Sequence, residues 1–153
     1  MHKTIGWFAF AIAVSCVFAI VRRGARAAER RKITIGLVAK SQSNAVFQAA
    51  YAGAKDAAKE LGDKYNADVT IDWQTPTDED AQKQADAIEA LAREGAQGIA
   101  ISCSEANTVT PAIDRAVEAG SAVMCFDSDA PHSKRFCYYG TDDETCGKAV
   151  MAE

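Results

Sequence analysis

The chain is 153 residues long, 48% hydrophobic and 25% charged, with a formal net charge of −4, enough for one domain with a core of its own. Four of the 17 basic residues precede Ala28 and all 21 acidic ones follow it, leaving 13 basic against 21 acidic, a net −8, beyond that point. No basic cluster interleaves with aromatics there, which argues against a nucleic-acid surface.

Residues 4–21 carry no charge and include Trp7, Phe8, Phe10, Ile12 and Val14; His2 and Lys3 stand before them. Ala25-Arg26-Ala27 gives a small-x-small cleavage pattern, so residues 1–27 read as a secretory signal peptide and the rest as exported. The run is long for a cleaved signal, and Arg22, Arg23 and Arg26 follow it. An uncleaved membrane anchor is therefore the alternative, with the leader as the only membrane contact. Residues 28–32, with Arg30-Arg31-Lys32, read as a linker.

A β-branched run over 33–39 predicts the first buried strand, followed by the polar loop Lys40-Ser41-Gln42-Ser43-Asn44. The spacing predicts a helix over about 45–61, with Phe47, Ala50, Ala54, Ala57, Ala58 and Leu61 inward and Gly62 at its end. A second strand is predicted over 67–73. Thr77 is the expected cap of the next helix, with Ala81, Ala85, Ile88 and Leu91 inward and Gly95 closing it. A third strand follows over 98–102. Thr110-Pro111 reads as a cap and first helical position for a helix burying Ile113, Ala116 and Val117. A fourth strand over 122–125 runs into Phe126-Asp127-Ser128-Asp129-Ala130-Pro131, a fifth covers about 136–140, and a last helix opens near Asp142. Strictly alternating strands and helices imply an α/β fold, a doubly wound parallel sheet covered on both faces.

Cys103, Cys125, Cys137 and Cys146 show no Cys-x-x-Cys spacing, and His132 is the one histidine beyond the leader, so no metal site or cofactor is expected. Cys103 and Cys125 read as small core residues, and Cys137 and Cys146 as a pair that an oxidising compartment can join. The loop after the first strand lacks the glycines of a dinucleotide fold. No phosphate loop and no Gly-x-Ser-x-Gly elbow is present, so the chain is not read as an enzyme.

What the strand ends offer is hydrogen bonding. Lys40, Ser41 and Asn44 follow the first strand, Ser102 and Ser104 the third, Asp127 and Asp129 the fourth. A charged acceptor makes the stronger bond to a hydroxyl, so the set suits a sugar or other polyol, with Phe47 or Tyr51 to cover an apolar ring face. The alternatives are a turn whose aspartates cap backbone amides and a Phe47 that packs in the core.

From Ile33 onward the sequence resembles the amino-terminal lobe of a type I periplasmic binding protein, the sugar-binding kind that serves ABC importers. Ile33-Thr34-Ile35-Gly36-Leu37-Val38 with Ser43-Asn44-Ala45-Val46-Phe47 is similar to the family's first strand and ligand loop. Residues 53–62 resemble its first helix, Gly95-Ala96-Gln97-Gly98-Ile99 the approach to its third strand, and Gly140-Thr141-Asp142 the start of its crossover. The resemblance implies a sheet in the order 2-1-3-4-5, with the loops 40–44 and 127–131 at one edge. By position it implies ligand-binding roles for Asn44, Phe47 and Asp127; with Lys40, Ser41 and Asp129 of the strand-end set, these are the candidate ligand-binding residues. Ala45, Val46 and Ser128 depart from the ribose-type pattern, and Asp127-Ser128-Asp129 resembles the rhamnose- and autoinducer-2-binding branch.

On that resemblance, residues 33–153 form one lobe of a two-lobed domain, with the second lobe missing. The expected role is a periplasmic substrate-binding component with an ABC permease as partner. The alternative is a sensor module, anchored or periplasmic, that presents a sugar or autoinducer-like ligand to a receptor. A sugar-responsive transcription regulator shares the core but would carry a helix-turn-helix where this chain has its apolar leader.

Overall fold

The computed structural model describes residues 29–152; the leader expected over 1–27 lies outside them. The elements run β1 (Arg31–Val38), α1 (Ala45–Tyr65), β2 (Ala67–Trp73), α2 (Ala81–Arg93), β3 (Gly98–Ile101), α3 (Ala106–Glu118), β4 (Ala122–Phe126), β5 (Cys137–Tyr139) and α4 (Asp143–Met151). The five strands are parallel, in the order β2-β1-β3-β4-β5. The fold is thus the expected α/β lobe. β1 starts two residues early, so Arg31 and Lys32 pair with Ala67 and Asp68 instead of serving as linker.

Register fixes which helix covers which face. Leu37 lies opposite Trp73, and the Trp73 ring meets Tyr51 of α1 with centroids 4.1 Å apart. The odd-numbered residues of β1 therefore face α1. Gly36 faces the other way, where a Cβ would come within 2.4 Å of Leu91 on α2. On that second face Val38, Ile99, Ile101, Val123 and Cys125 form one buried cluster with Ile88 and Leu91 of α2 and Val109, Ala112, Ile113 and Ala116 of α3. Leu91 is only 1% exposed, so it has little room to yield. Gly36→Ala should cost about 1–3 kcal/mol by overpacking, read as a lowered denaturation midpoint at unchanged m-value.

Helix ends differ from expectation in physically legible ways. Gly62 does not stop α1; it is buried within it, and the helix runs one turn further. Asn66 terminates it, left-handed at φ 51° with its N–H on the Gly62 carbonyl. Leu61, expected inward, is 45% exposed, because the stripe runs through Phe47, Ala58 and Gly62 instead. Asp80, not Thr77, caps α2, accepting the Lys83 N–H, and this bond holds the Asp80 carboxyl below its ordinary pKa. Gly95 ends the helix as read, at φ 82°.

α3 starts four residues before Thr110. Glu105 caps it by accepting from the Asn107 and Thr108 N–H groups, and Pro111 lies inside the helix. Pro111 is exposed, and the Thr110 hydroxyl adds a bond to the Ala106 carbonyl (2.7 Å). The anticipated inward residues Ile113 and Ala116 are fully buried.

α1 covers the β1–β2 side of its face. Nearer β4, Ile35, Gly98, Ala100, Ala122, Met124 and Phe136 line an apolar depression of about 230 Å³, and Phe136 is 67% exposed. Among the described residues, no helix is long and apolar enough to cross a membrane.

Candidate functional site

β1 leads through α1 to β2 on one side of it, and β3 leads through α3 to β4 on the other. The β1/β3 boundary is therefore the point where the winding reverses, and in open parallel sheets ligands bind outside the carboxyl ends of the strands at such a point. The last ladder bond there runs from Ser102 N–H to the Val38 carbonyl (3.0 Å); beyond it the strands part. Gln84 of α2, entirely buried, fills the gap. Its Nε2 donates to the Ala39 carbonyl (2.8 Å) and the Ser102 carbonyl (2.9 Å), and its Oε1 accepts the Ser104 N–H (2.9 Å).

The loop after β1 is pinned from β2. Thr75, 4% exposed, accepts the Ala39 N–H on its hydroxyl (2.8 Å). Gln42 donates through its backbone to Pro76 O (2.8 Å) and through its side chain to Thr75 O (2.7 Å). This places Lys40 Nζ 3.8 Å from Asp127 Oδ2, so the loops 40–44 and 127–131 lie at one edge, as anticipated.

Asp127 follows β4 with φ 59°, a left-handed backbone that Asp tolerates better than most residues. The conformation is held on every side. Its N–H donates to Tyr139 O (3.0 Å), its carbonyl accepts the Tyr138 hydroxyl (2.9 Å), and Ser128 N–H folds back to Phe126 O (2.6 Å). On the carboxylate, Oδ2 accepts from Ser102 Oγ (2.8 Å) and Ser128 Oγ (3.3 Å) besides facing Lys40. No described residue donates to Oδ1, and the side chain is 49% exposed. One oxygen is thus anchored to the protein and the other presented to solvent.

Asp129 is differently employed. Arg135 grips it through Nε to Oδ1 (2.5 Å) and Nη2 to Oδ2 (2.6 Å), and the Ala130 N–H donates to Oδ1 (2.7 Å). The Arg135 hydrogen bonds hold the Asp129 carboxyl below its ordinary range, against the opposing effect of burial. Its lone pairs therefore serve its own loop first. Of the remaining candidates, Asn44 caps α1, with Oδ1 accepting the Val46 N–H (2.9 Å) and the amide nitrogen left as a donor. Ser41 is half-buried, and among the described residues its side chain has no hydrogen-bond partner. Phe47 is 4% exposed and offers almost no surface to a ligand within this lobe. The Ser104 hydroxyl is enclosed without a hydrogen-bond partner among the described residues.

On the β5 side of Asp127 an open depression of about 570 Å³ is lined by Asp127, Ser128, Tyr138, Thr141 and Asp142 among others. Below the loop, Cys103 and Cys125 are buried with their sulfurs 3.8 Å apart; contact with Cys125, then burial, pushes the Cys103 thiol up. Cys137 and Cys146 are both free, so the pairing open to them is not made. Among the described residues, no group of three or more His, Cys, Asp or Glu could hold a metal ion.

Residues 35–153 match the periplasmic binding protein domain. The chain belongs to the periplasmic binding protein family. Its sheet order is that of the type I lobe, and solved members share it with this chain. An LsrB from Clostridium saccharobutylicum in complex with AI-2 is 25% identical with a TM-score of 0.69, over 78% of this chain and 35% of its own. GanP, a glucose-galactose binding protein from Geobacillus stearothermophilus, is 25% identical with a TM-score of 0.69, over 80% and 43%. AraP, an arabinose binding protein from the same organism, is 27% identical with a TM-score of 0.69, over 79% and 40%. The chain thus spans less than half the length of these structures.

Sequence reading missed Gln84, Thr75 and Arg135 as site residues. Gln84 had a signal, a polar residue within the inward stripe of Ala81, Ala85, Ile88 and Leu91. Arg135 and Thr75 had none, since each meets its partner only through the fold.

Proposed function

We propose that this lobe binds a neutral sugar or related polyol without chemical change, as part of a periplasmic substrate-binding protein that delivers it to an ABC permease. The observation that carries the reading is Asp127. A half-exposed carboxylate at the end of β4 reaches Ser102 and Lys40 at the reversal point of the sheet, with Oδ2 anchored by Ser102 and Oδ1 open. A charged acceptor fixed in this way makes a stronger bond to a hydroxyl than a neutral one does. Lys40 and the Asn44 amide nitrogen are the donors, Ser41 an additional hydroxyl, and Asp129 the organiser of the loop. Phe47 acts from beneath, as packing under the first loop. The sugar and AI-2 ligands in the names of the matched structures agree with this chemistry.

Residues 1–27 serve as the export leader in this reading, and a second lobe supplies the opposing half of the ligand contacts. One lobe alone offers an open surface, so its affinity should be weak, on the order of millimolar. The test is a heteronuclear NMR titration of the chain with pentoses, hexoses, deoxyhexoses and AI-2. Saturable shifts at Lys40, Ser102 and Asp127 are expected for at least one of them. If every member leaves those amides unmoved, the reading is wrong.

A further inference from the structure

We propose that Gln84 is a positioning residue for the ligand face: its buried amide sets the spacing of the β1 and β3 ends and so places two of the three described groups that face the Asp127 carboxylate. The proposal rests on the reading of this edge as the ligand face and deepens it, because Gln84 itself reaches no ligand.

The three Gln84 bonds land on the backbone that carries the partners of Asp127. The Ala39 carbonyl belongs to the peptide unit that leads into Lys40, whose ammonium faces Asp127. The Ser102 carbonyl belongs to the residue whose hydroxyl donates to Asp127. The Ser104 N–H lies two residues further along the same strand end. One amide from the helix below therefore ties together the backbones of two Asp127 partners that lie on different strands.

The chemistry suits an amide alone. Parting strands leave carbonyl and N–H groups that no ladder satisfies, and buried groups of this kind must find partners. The position needs two donated hydrogens and one acceptor from a single buried planar group. Asn and Gln supply both functions, whereas ionised Glu only accepts and Lys only donates. Gln84 is entirely buried, where an unfulfilled bond is costly. A purely packing role at this position would be served by leucine.

The experiment uses the full chain as parent, Gln84→Leu, Gln84→Glu and a control, Ile88→Val, which loosens the same helix through its apolar core alone. The first reading needs no ligand: amide hydrogen exchange at Ser104, together with the resonances of Lys40 and Asp127. In Gln84→Leu the Ser104 amide should exchange about tenfold faster or more, and the Lys40 and Asp127 signals should move. Ile88→Val should leave all three near the parent.

Gln84→Glu adds a pH profile. Burial raises the pKa of a carboxyl group. Its protonated form donates one hydrogen and still accepts from Ser104, whereas its ionised form faces two carbonyl oxygens with nothing to give. Protection at Ser104, taken relative to the parent at each pH, should therefore recover as the pH falls. The second reading is the NMR titration with D-galactose, D-glucose and L-arabinose: the apparent affinity should fall about tenfold in Gln84→Leu and stay unchanged in Ile88→Val.

If Gln84→Leu matches Ile88→Val in exchange and resonances, or if Gln84→Glu shows no recovery at low pH, Gln84 is a packing residue and the proposal is overturned. A parent that binds none of the three sugars counts against the sugar reading, and the exchange measurements alone then decide Gln84. Should Gln84→Leu not fold, the pH profile of Gln84→Glu carries the decision.

Discussion

Asp127→Ala should weaken sugar binding by about ten- to a hundredfold, since a hydrogen bond to a charged group is worth about 1.5–3 kcal/mol. The loss has two sources that a second variant separates. Alanine removes the acceptor, but it also places a plain β-carbon at φ 59°, where an L-residue without a local hydrogen bond is strained by roughly 1–2 kcal/mol. Asp127→Asn tolerates the left-handed backbone, keeps an oxygen for the Ser102 hydroxyl, and removes the charge that faces Lys40. Its stability should stay close to that of the parent, while its affinity falls toward that of Asp127→Ala. Sugar titrations beside thermal melts of the three proteins check this. An Asp127→Asn protein that binds like the parent would show that the negative charge contributes nothing to recognition.

Arg135→Leu should destabilise the lobe by about 1–3 kcal/mol at neutral pH, because it leaves the Asp129 carboxylate half-buried without its two charged donors. The pH dependence gives the prediction its sign. In the parent the bonds from Arg135 lower the Asp129 pKa from its ordinary 3.8, so their stabilisation is fully present above that value. It is lost as the pH falls further, through the depressed pKa. Asp129 pins Arg135 in its charged form by the same bonds, so the guanidinium does not titrate in this window. The stability gap between parent and Arg135→Leu should therefore be widest near neutrality and close as the pH drops below 3.8. Denaturant melts across acid pH measure it, and a gap that stays constant would mean that the pair does not stabilise the loop.

The architecture was open to reading because it is written in local periodicity. Val38, Ile99, Ile101, Val123 and Cys125 fall on one face by alternation alone, and Ala85, Ile88 and Leu91 fall on one helical stripe. Helix ends were harder, since they depend on which of several capable residues wins. Thr77 and Asp80 can both cap, and Asp80 is the one whose carboxylate reaches the Lys83 N–H. Gly62 looked like a stop, yet it is buried within α1. The candidate site divides in the same way. Lys40 and Asp127 were readable as polar residues at strand ends, and the fold brings them together. What orients them was not: Ser102 was readable as a strand-end hydroxyl but not as the donor to Asp127, Gln84 and Thr75 act across separations of 18 to 45 residues, and Arg135 turns Asp129 inward by a contact that composition does not announce.

The part of the sheet that no described helix covers, where Met124 and Ala100 border a Phe136 that is 67% exposed, bears on how residues 29–152 can be assayed. Environment-sensitive dyes such as ANS fluoresce when they meet exposed apolar surface, and that glow is commonly taken as the mark of a loosened, molten state. Here the described residues, well packed, offer such a surface before any heating. Dye-monitored melting curves should begin from a bright baseline and rise little on unfolding, which hides small stabilisations by a ligand. Near-ultraviolet circular dichroism of the Trp73 and Tyr51 pair, whose rings lie 4.1 Å apart, reports loss of tertiary packing without that background.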